Sequence, residues 1–244
     1  PWDFLGDTCS EMNIAVIHTS FNVCVTALLL PLNGLLVKLA TLSVPDGKRE
    51  EKPVLLDERL LATPAVAIQR SQDIAARMAE DSAQAMRLAM GLIQKFDRKS
   101  LDRVLELENN TDRYEDALGT YLVQLSSRSL SVADSRILNT LLYTISDVER
   151  IADHAVNVGK AALEMEEKKI VFSQQAQGEL EVLERAVSDI LGRTVEAYRS
   201  FDRELARKVE PQEQVVDALV REIKSRHIRR LRDGRCSVEY GFVL

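Results

Sequence analysis

The stretch Phe96-Asp-Arg-Lys-Ser-Leu-Asp-Arg-Val-Leu-Glu-Leu-Glu-Asn-Asn-Thr-Asp112 recurs in altered form later in this chain of 244 residues. The second copy is Phe201-Asp-Arg-Glu-Leu-Ala-Arg-Lys-Val-Glu-Pro-Gln-Glu-Gln-Val-Val-Asp217, which lies 105 residues after the first (96 to 201). The copies share the Phe-Asp-Arg start, one valine and a Glu-x-x-x-Asp motif, all at the same offset. A repeat of this length is too long for a solenoid unit and fits a three-helix bundle that occurs twice.

The composition favours helices over strands. Glycine and proline, which interrupt helices, number only 10 and 6, and aromatic residues, which favour strands, make up 5% of the chain. Apolar residues recur with helical spacing almost without interruption after residue 54. The predicted helices are Pro64–Phe96, Lys99–Ser127, Val132–Lys168, 174–200 and Arg203–Asp233, with a sixth that begins near Val238. We therefore predict an all-α fold.

An apolar run near the N-terminus predicts a transmembrane helix. Between residues 12 and 44 the only fully charged side chain is Lys38, and residues 23–42 match the roughly 20 residues that span hydrocarbon. A buried helix of a protein without a membrane segment is the alternative. Basic residues such as Lys48 follow the run, and the positive-inside tendency then places everything after about residue 45 in the cytoplasm. This interpretation predicts a multi-pass protein of the inner or plasma membrane.

Four segments follow from these patterns. Because the chain starts at Pro1 and stops inside an apolar stretch at Leu244, we expect it to be a fragment of a longer protein. The predicted segments are the last transmembrane segment over 1–44, a polar linker over 45–56, a first three-helix bundle over 57–168 and a second, incomplete bundle over 169–244.

Charge and motif content exclude several classes of function. A net charge of −6 gives no support to nucleic-acid binding, which needs a basic face. The three cysteines, Cys9, Cys24 and Cys236, form neither a disulfide framework nor a Cys-x-x-Cys metal motif. No phosphate-binding glycine-rich loop, His-Glu-x-x-His motif or nucleophile elbow is present. We therefore predict that the protein is not an enzyme.

Paired carboxylates are the candidate metal ligands. The motif Glu-x-x-x-Asp occurs on predicted helices as Glu108 with Asp112, Glu149 with Asp153, and Glu213 with Asp217. Residues four apart share one helix face, so each pair can bind one cation, and oxygen ligands from facing helices suit hard or borderline ions.

Arg113 and Arg150 offer a competing interpretation of these motifs. Each lies next to a carboxylate pair, where it could neutralise the pair in an ordinary ion-pair network. Spacing alone does not decide between a metal site and such a network.

Polar side chains cluster in the predicted membrane segment: His18, Thr19, Ser20 and Asn22. Polar groups in lipid usually face a cavity or a partner helix. These residues are therefore candidates for an ion or substrate pathway, with hydrogen bonding between helices as the alternative.

The stretch Asp147-Val-Glu-Arg-Ile-Ala-Asp-His-Ala-Val-Asn157 resembles the PhoU family of phosphate-regulatory proteins. The resemblance implies two three-helix bundles whose Glu-x-x-x-Asp motifs hold multinuclear clusters of divalent ions or iron. Carried over to this chain, it implies one site and half of a second. The first site comprises Glu108, Asp112, Glu149 and Asp153, and the half-site comprises Glu213 and Asp217, with its other half expected beyond Leu244.

A second resemblance rests on His18-Thr-Ser-Phe-Asn22 before the apolar run and on Leu60-Leu-Ala-Thr-Pro-Ala-Val-Ala67 after the linker. These motifs resemble the bacterial sodium/phosphate cotransporter family that carries a C-terminal PhoU-like domain. The resemblance implies a fragment of a sodium-dependent phosphate symporter, with sodium as coupling ion and with inorganic phosphate, the membrane and further copies of the chain as partners. The glutamine-serine-serine transport motifs of that family are absent from this sequence.

Two alternatives to the symporter remain at this point. The first is a PhoU-type regulator that acts through protein–protein contacts without transporting phosphate. The second is a di-metal enzyme of the ferritin-like type, which is weaker because Glu-x-x-His pairs are absent.

Overall fold

A computed structural model describes residues 11–32 and 56–234, and every described segment of regular structure is helical. The chain forms two units, residues 1–53 and 54–244. The first unit contains α1, Glu11–Leu29. The second begins with a short 3₁₀ helix, Glu58–Ala62. It continues with α2 (Pro64–Gln94), α3 (Arg98–Ser126), α4 (Val132–Lys168), α5 (Gln174–Ser200), α6 (Arg203–Ala206) and α7 (Val209–Arg232).

Helices α2, α3 and α4 pack against one another as a three-helix bundle. Their starts are set by local sequence: Pro64 occupies the first turn of α2, Asp97 accepts a hydrogen bond from the Ser100 N–H, and Ser131 caps α4. The core at one end of the bundle consists of large apolar residues, including Ile74, Met78, Leu118, Leu122 and Ile145. The predicted all-α fold and the helices of the first bundle are confirmed, with ends that differ by one or two residues.

The remaining helices continue the packing from the first bundle. Helix α5 packs on α2, and α7 packs on α5. Met165, Phe172 and Ala176 form a small buried cluster where α4 ends and α5 begins. Phe201 ends α5 in the left-handed conformation with φ 54°. The predicted boundary between two bundles at residue 168 stays a prediction.

One predicted helix is interrupted. The sequence predicts a single helix over Arg203–Asp233, but α6 ends at Ala206 and α7 begins at Val209. Pro211 is the physical reason, because it has no N–H to donate to the carbonyl of Arg207 and its ring would collide with that carbonyl. In the first turn of a new helix the same proline is tolerated.

The internal repeat is visible in the helix ends and in the buried positions. Asp97 caps α3, and its repeat partner Asp202 caps α6 by accepting hydrogen bonds from two backbone N–H groups. Ala197 is buried near the end of α5, as its partner Leu92 is near the end of α2. Residues 105 positions apart therefore occupy equivalent places in the structure as well as similar places in the sequence.

The structure corrects the prediction of a transmembrane segment. Among residues 11–32 and 56–234, no helix combines the length and the apolar character that a membrane crossing needs. Helix α1 carries polar residues, among them His18 and Asn22, in its first two thirds and ends at Leu29, just before Pro31. The predictions of a membrane-spanning segment and of a multi-pass membrane location are therefore wrong.

Several predictions fall outside the described residues. These are the second half of the apolar run, most of the 45–56 linker, and the sixth helix expected near Val238.

Candidate metal site between α3 and α4

The loop of residues 127–131 joins α3 and α4 as antiparallel neighbours, and a hydrogen bond fixes their register. The Ser146 hydroxyl on α4 donates to the Glu115 carboxylate on α3, with an Oγ–Oε1 distance of 2.7 Å. One turn further, three residues back along α3 and three forward along α4, Asp112 and Glu149 occupy opposing positions. The two predicted motifs therefore come together across one seam.

Glu108 lies four residues before Asp112 on α3, and Asp153 lies four residues after Glu149 on α4, so these two residues also occupy opposing positions. The pKa of Glu108 is raised, first because partial burial disfavours the charged form and then because the charges of Asp153 and Asp112 repel it. The positive charge of Lys160 opposes this shift. Both Glu-x-x-x-Asp motifs thus contribute to one electrostatic field.

Glu149 has the same environment from the other side of the seam. Burial is the largest cause of its raised pKa, followed by the charge of Asp153 and a hydrogen bond with that residue. The charges of Glu115 and Asp112 add to the shift. Every carboxylate that acts on Glu149 is therefore a source of repulsion that a bound cation would relieve.

The carboxylates of the seam are accessible to solvent on one side and lie on a buried apolar layer on the other. Glu108 and Glu149 are half-buried, whereas Asp112 and Asp153 are exposed. Several small side chains in the layer beneath permit close helix packing. This layer consists of Ala85, Ala89, Val104, Leu107, Ala155 and Val156.

The competing ion-pair network does not form. Among the described residues, neither Arg113 nor Arg150 makes an ion pair. The same residues also contain no group of three or more His, Cys, Asp or Glu side chains that could hold a metal ion. Metal binding by these four carboxylates therefore stays a prediction, which rests on their charge and on the preference of hard cations for oxygen ligands.

The third motif lies apart from the first two. Glu213 and Asp217 are exposed on α7, and Asp217 forms an ion pair with Arg221 at 3.3 Å. The helix expected to complete this half-site lies outside the described residues.

The four polar residues of the predicted pathway are all exposed on α1: His18, Thr19, Ser20 and Asn22. The Asn22 amide approaches the His18 ring at 3.2 Å, one helical turn away. Their proposed role depended on a membrane span, which the described residues do not provide.

Sequence reasoning missed Glu115 and Ser146. Glu115 follows Asp112 by three residues, and Ser146 precedes Glu149 by three, so both share the faces of the motifs. Extending each motif by one turn would have found them.

Long antiparallel helices around an apolar core place the chain in the class of helical-bundle proteins, some of which hold metal ions with carboxylates from facing helices. The profile of the PhoU domain family matches residues 75–162 and 180–242, which include both copies of the internal repeat. The chain belongs to the PhoU domain family.

Individual relatives agree with this assignment. A phosphate-specific transport system accessory protein PhoU homolog of Xylella fastidiosa strain 9a5c is 25% identical over 142 residues, which cover 58% of this chain and 59% of that protein. The PhoU homolog 1 of Thermotoga maritima is 25% identical over 149 residues, which cover 58% and 60%. The chain thus spans about three fifths of the length of these curated relatives. No solved structure matches it significantly.

The comparisons support only part of the sequence-based resemblance. They support the PhoU family and give no support to the sodium/phosphate cotransporter family. The prediction of sodium symport has no support in these findings. The prediction of a membrane protein is wrong, because no helix among the described residues could cross a membrane. The alternative of a PhoU-type regulator has the better support.

Proposed function

We propose that the chain is a phosphate-regulatory protein of the PhoU type that acts by contact with proteins of phosphate transport and catalyses no reaction. Support comes from the family match over both halves and from relatives that are named as transport accessory proteins. The observation that carries the proposal is the α3–α4 seam, where the family's motifs face each other.

We further propose that this seam binds a divalent or iron cation. Glu108, Asp112, Glu149 and Asp153 would supply oxygen ligands, and the cation would relieve their mutual repulsion. Binding would tie α3 to α4 at the middle of the bundle and so stabilise one relative position of the two helices.

Metal analysis tests the site directly. The chain should gain thermal stability when Mn²⁺, Fe²⁺ or Mg²⁺ is added, and E108A/D112A/E149A/D153A should lose that gain. The control D102A/E106A/E164A/E167A removes four exposed carboxylates from the same two helices and should keep it. Metal binding at the seam is contradicted if the ions stabilise the seam variant and the control variant equally. It is also contradicted if none of these ions stabilises the unaltered chain.

A cellular assay tests the regulatory role. Bacteria that lack their own PhoU-type accessory protein should regain phosphate-dependent control of phosphate uptake when they express this chain. The four-alanine variant should restore less control than the matched control variant at equal protein levels. Uptake that stays the same with and without the chain, at low and at high phosphate, argues against the proposal.

A further inference from the structure

A stripe of cations runs along one exposed face of α7. Arg221, Lys224, Arg229 and Arg232, together with Ser225 and Ile228, line a groove of about 490 Å³. Their spacing of three and four residues places them on the same side of the helix. Within residues 11–32 and 56–234 no carboxylate belongs to this lining, although the chain as a whole has a net charge of −6. We call these four cations and Ser225 the basic stripe.

The helix dipole explains only part of the stripe. Cations are favoured in the last turn of a helix, where the carbonyl groups point outward, and this accounts for Arg229 and Arg232. Arg221 and Lys224 lie two to three turns before the end of α7, beyond the reach of that effect.

Neighbouring carboxylates compensate the stripe only weakly. Arg221 meets Asp217 at 3.3 Å with both side chains mostly exposed, an arrangement that contributes little. Among the described residues, Lys224, Arg229 and Arg232 make no ion pair.

The adjacent face of α7 uses its charges differently. There Arg226 pairs with Glu222 at 2.7 Å, and Arg230 pairs with Glu179 at 2.9 Å. The carboxylates of Glu222 and Glu179 are therefore already engaged by arginines outside the stripe.

The internal repeat supplies a comparison within the same protein. The residues of α3 that correspond to the four cations are Asp116, Gly119, Gln124 and Ser127, of which none is basic. All of these except Gly119, which is half-buried, are exposed on the first bundle. Three of the four positions are thus solvent-exposed in the first copy as well, and only the second copy makes them basic.

We infer that the basic stripe binds free inorganic phosphate anions that carry several negative charges. Guanidinium groups donate paired hydrogen bonds to phosphate oxygens, the Lys224 ammonium adds a point charge, and the Ser225 hydroxyl adds a donor. From Arg221 to Arg232 the stripe is about 16 Å long at about 1.5 Å per residue. Pyrophosphate or tripolyphosphate can contact more of these cations at once than orthophosphate can.

Calorimetric titration of the metal-free 244-residue chain at about 0.15 M salt tests the inference. Affinity should rise from orthophosphate to pyrophosphate to tripolyphosphate, and sulfate should bind more weakly than pyrophosphate. R229Q/R232Q should weaken tripolyphosphate binding at least tenfold. R203Q/K208Q, which removes two exposed cations just before α7, should bind as the unaltered chain does.

Three results would overturn the inference. The first is that none of these anions binds. The second is that R229Q/R232Q and R203Q/K208Q lose tripolyphosphate affinity equally. The third is that the chain binds vesicles of phosphatidylserine and phosphatidylcholine but no free anion. Circular dichroism of each variant establishes that a loss does not come from unfolding. The inference goes beyond the proposed regulatory function, which would stand unchanged if the anions failed to bind.

Discussion

Arg230 on α7 and Glu179 on α5 form an ion pair in the interior of the second half of the chain. Their side chains are only 11% and 8% exposed, and the two nitrogen–oxygen distances are 3.0 and 2.9 Å. The repeat partners of these residues are Ile74 and Leu125, which both belong to the apolar core of the first bundle. One copy of the repeat thus places a charge pair where the other places two aliphatic side chains.

Removing one member of this pair should destabilise the protein strongly. Glu179→Ala leaves the Arg230 guanidinium buried without its carboxylate, and we expect a loss of about 3–5 kcal/mol in the free energy of unfolding. Urea unfolding followed by circular dichroism measures this change. A loss below about 0.5 kcal/mol would show that solvent already screens the pair.

The apolar version of the same contact should be tolerated. E179I/R230L copies the residues found in the first bundle, and well-packed aliphatic residues often replace a buried ion pair without loss. We expect this double variant to be at least as stable as the unaltered chain in the same experiment. If it is as unstable as Glu179→Ala, the two copies of the repeat differ in packing as well as in charge.

The helices and the repeat could be predicted from the sequence, because apolar periodicity and capping residues such as Asp97 are local signals. The convergence of Glu108 with Asp153 also followed, since both lie beside apolar stripes that have to pack inward. The Glu179–Arg230 pair could not be predicted, because a charged residue inside a helical pattern looks like a solvent-exposed one until its neighbours are known. The transmembrane prediction was wrong because an apolar run does not by itself give one long helix, and α1 ends at Leu29, just before Pro31.

The carboxylates of the seam should make stability depend on pH in a defined direction. The pKa values of Glu108 and Glu149 are raised above the ordinary 4.5, so the folded chain binds protons more readily than the unfolded chain. The resulting stabilisation is complete below about pH 4.5 and is lost as the pH rises through the folded-state pKa values. E108Q/E149Q should therefore be more stable than the unaltered metal-free chain at pH 7, by roughly 1 kcal/mol or less because solvent screens the charges.

Thermal unfolding at pH 7 and at pH 4 measures the effect of E108Q/E149Q. The advantage of the variant should disappear at the lower pH, where the carboxyl groups it replaces are protonated. Glu167→Gln removes an exposed carboxylate from the same helix α4 and should change nothing at either pH. A variant that is less stable at pH 7 would mean that the seam carboxylates attract cations of the protein more than they repel each other.

Two glycines should respond to substitution in opposite ways. A Cβ atom on Gly159 would lie 2.8 Å from Leu101 Cδ1, and Leu101 is itself buried in the core. Gly159→Leu should therefore destabilise the chain by about 1–3 kcal/mol through overpacking. A Cβ atom on Gly192 in α5 would meet no atom within 4 Å apart from its own helix backbone, so Gly192→Ala should stabilise the chain by about 0.5–1 kcal/mol. Urea unfolding of both variants tests this, and equal effects would contradict the close packing at Gly159.

The break between α6 and α7 should close when its cause is removed. The last turn of α6 tightens, with the Lys208 N–H bonded to the Leu205 carbonyl at 3.1 Å, just before Pro211. Pro211→Glu installs the residue found at the repeat partner Glu106, in the middle of α3, and restores the missing N–H. Hydrogen exchange should then show stronger protection of the amides that follow Leu205, as expected for one continuous helix.

The reverse change in α3 is the control for the helix break. Glu106→Pro places the same ring inside an uninterrupted helix, where it should cost about 3 kcal/mol or more and weaken amide protection around it. Unchanged protection in Pro211→Glu, together with the expected damage in Glu106→Pro, would mean that packing of α5 against α7 holds the break open. Strengthened protection in Pro211→Glu would show that one proline accounts for the difference in helix continuity between the two copies of the repeat.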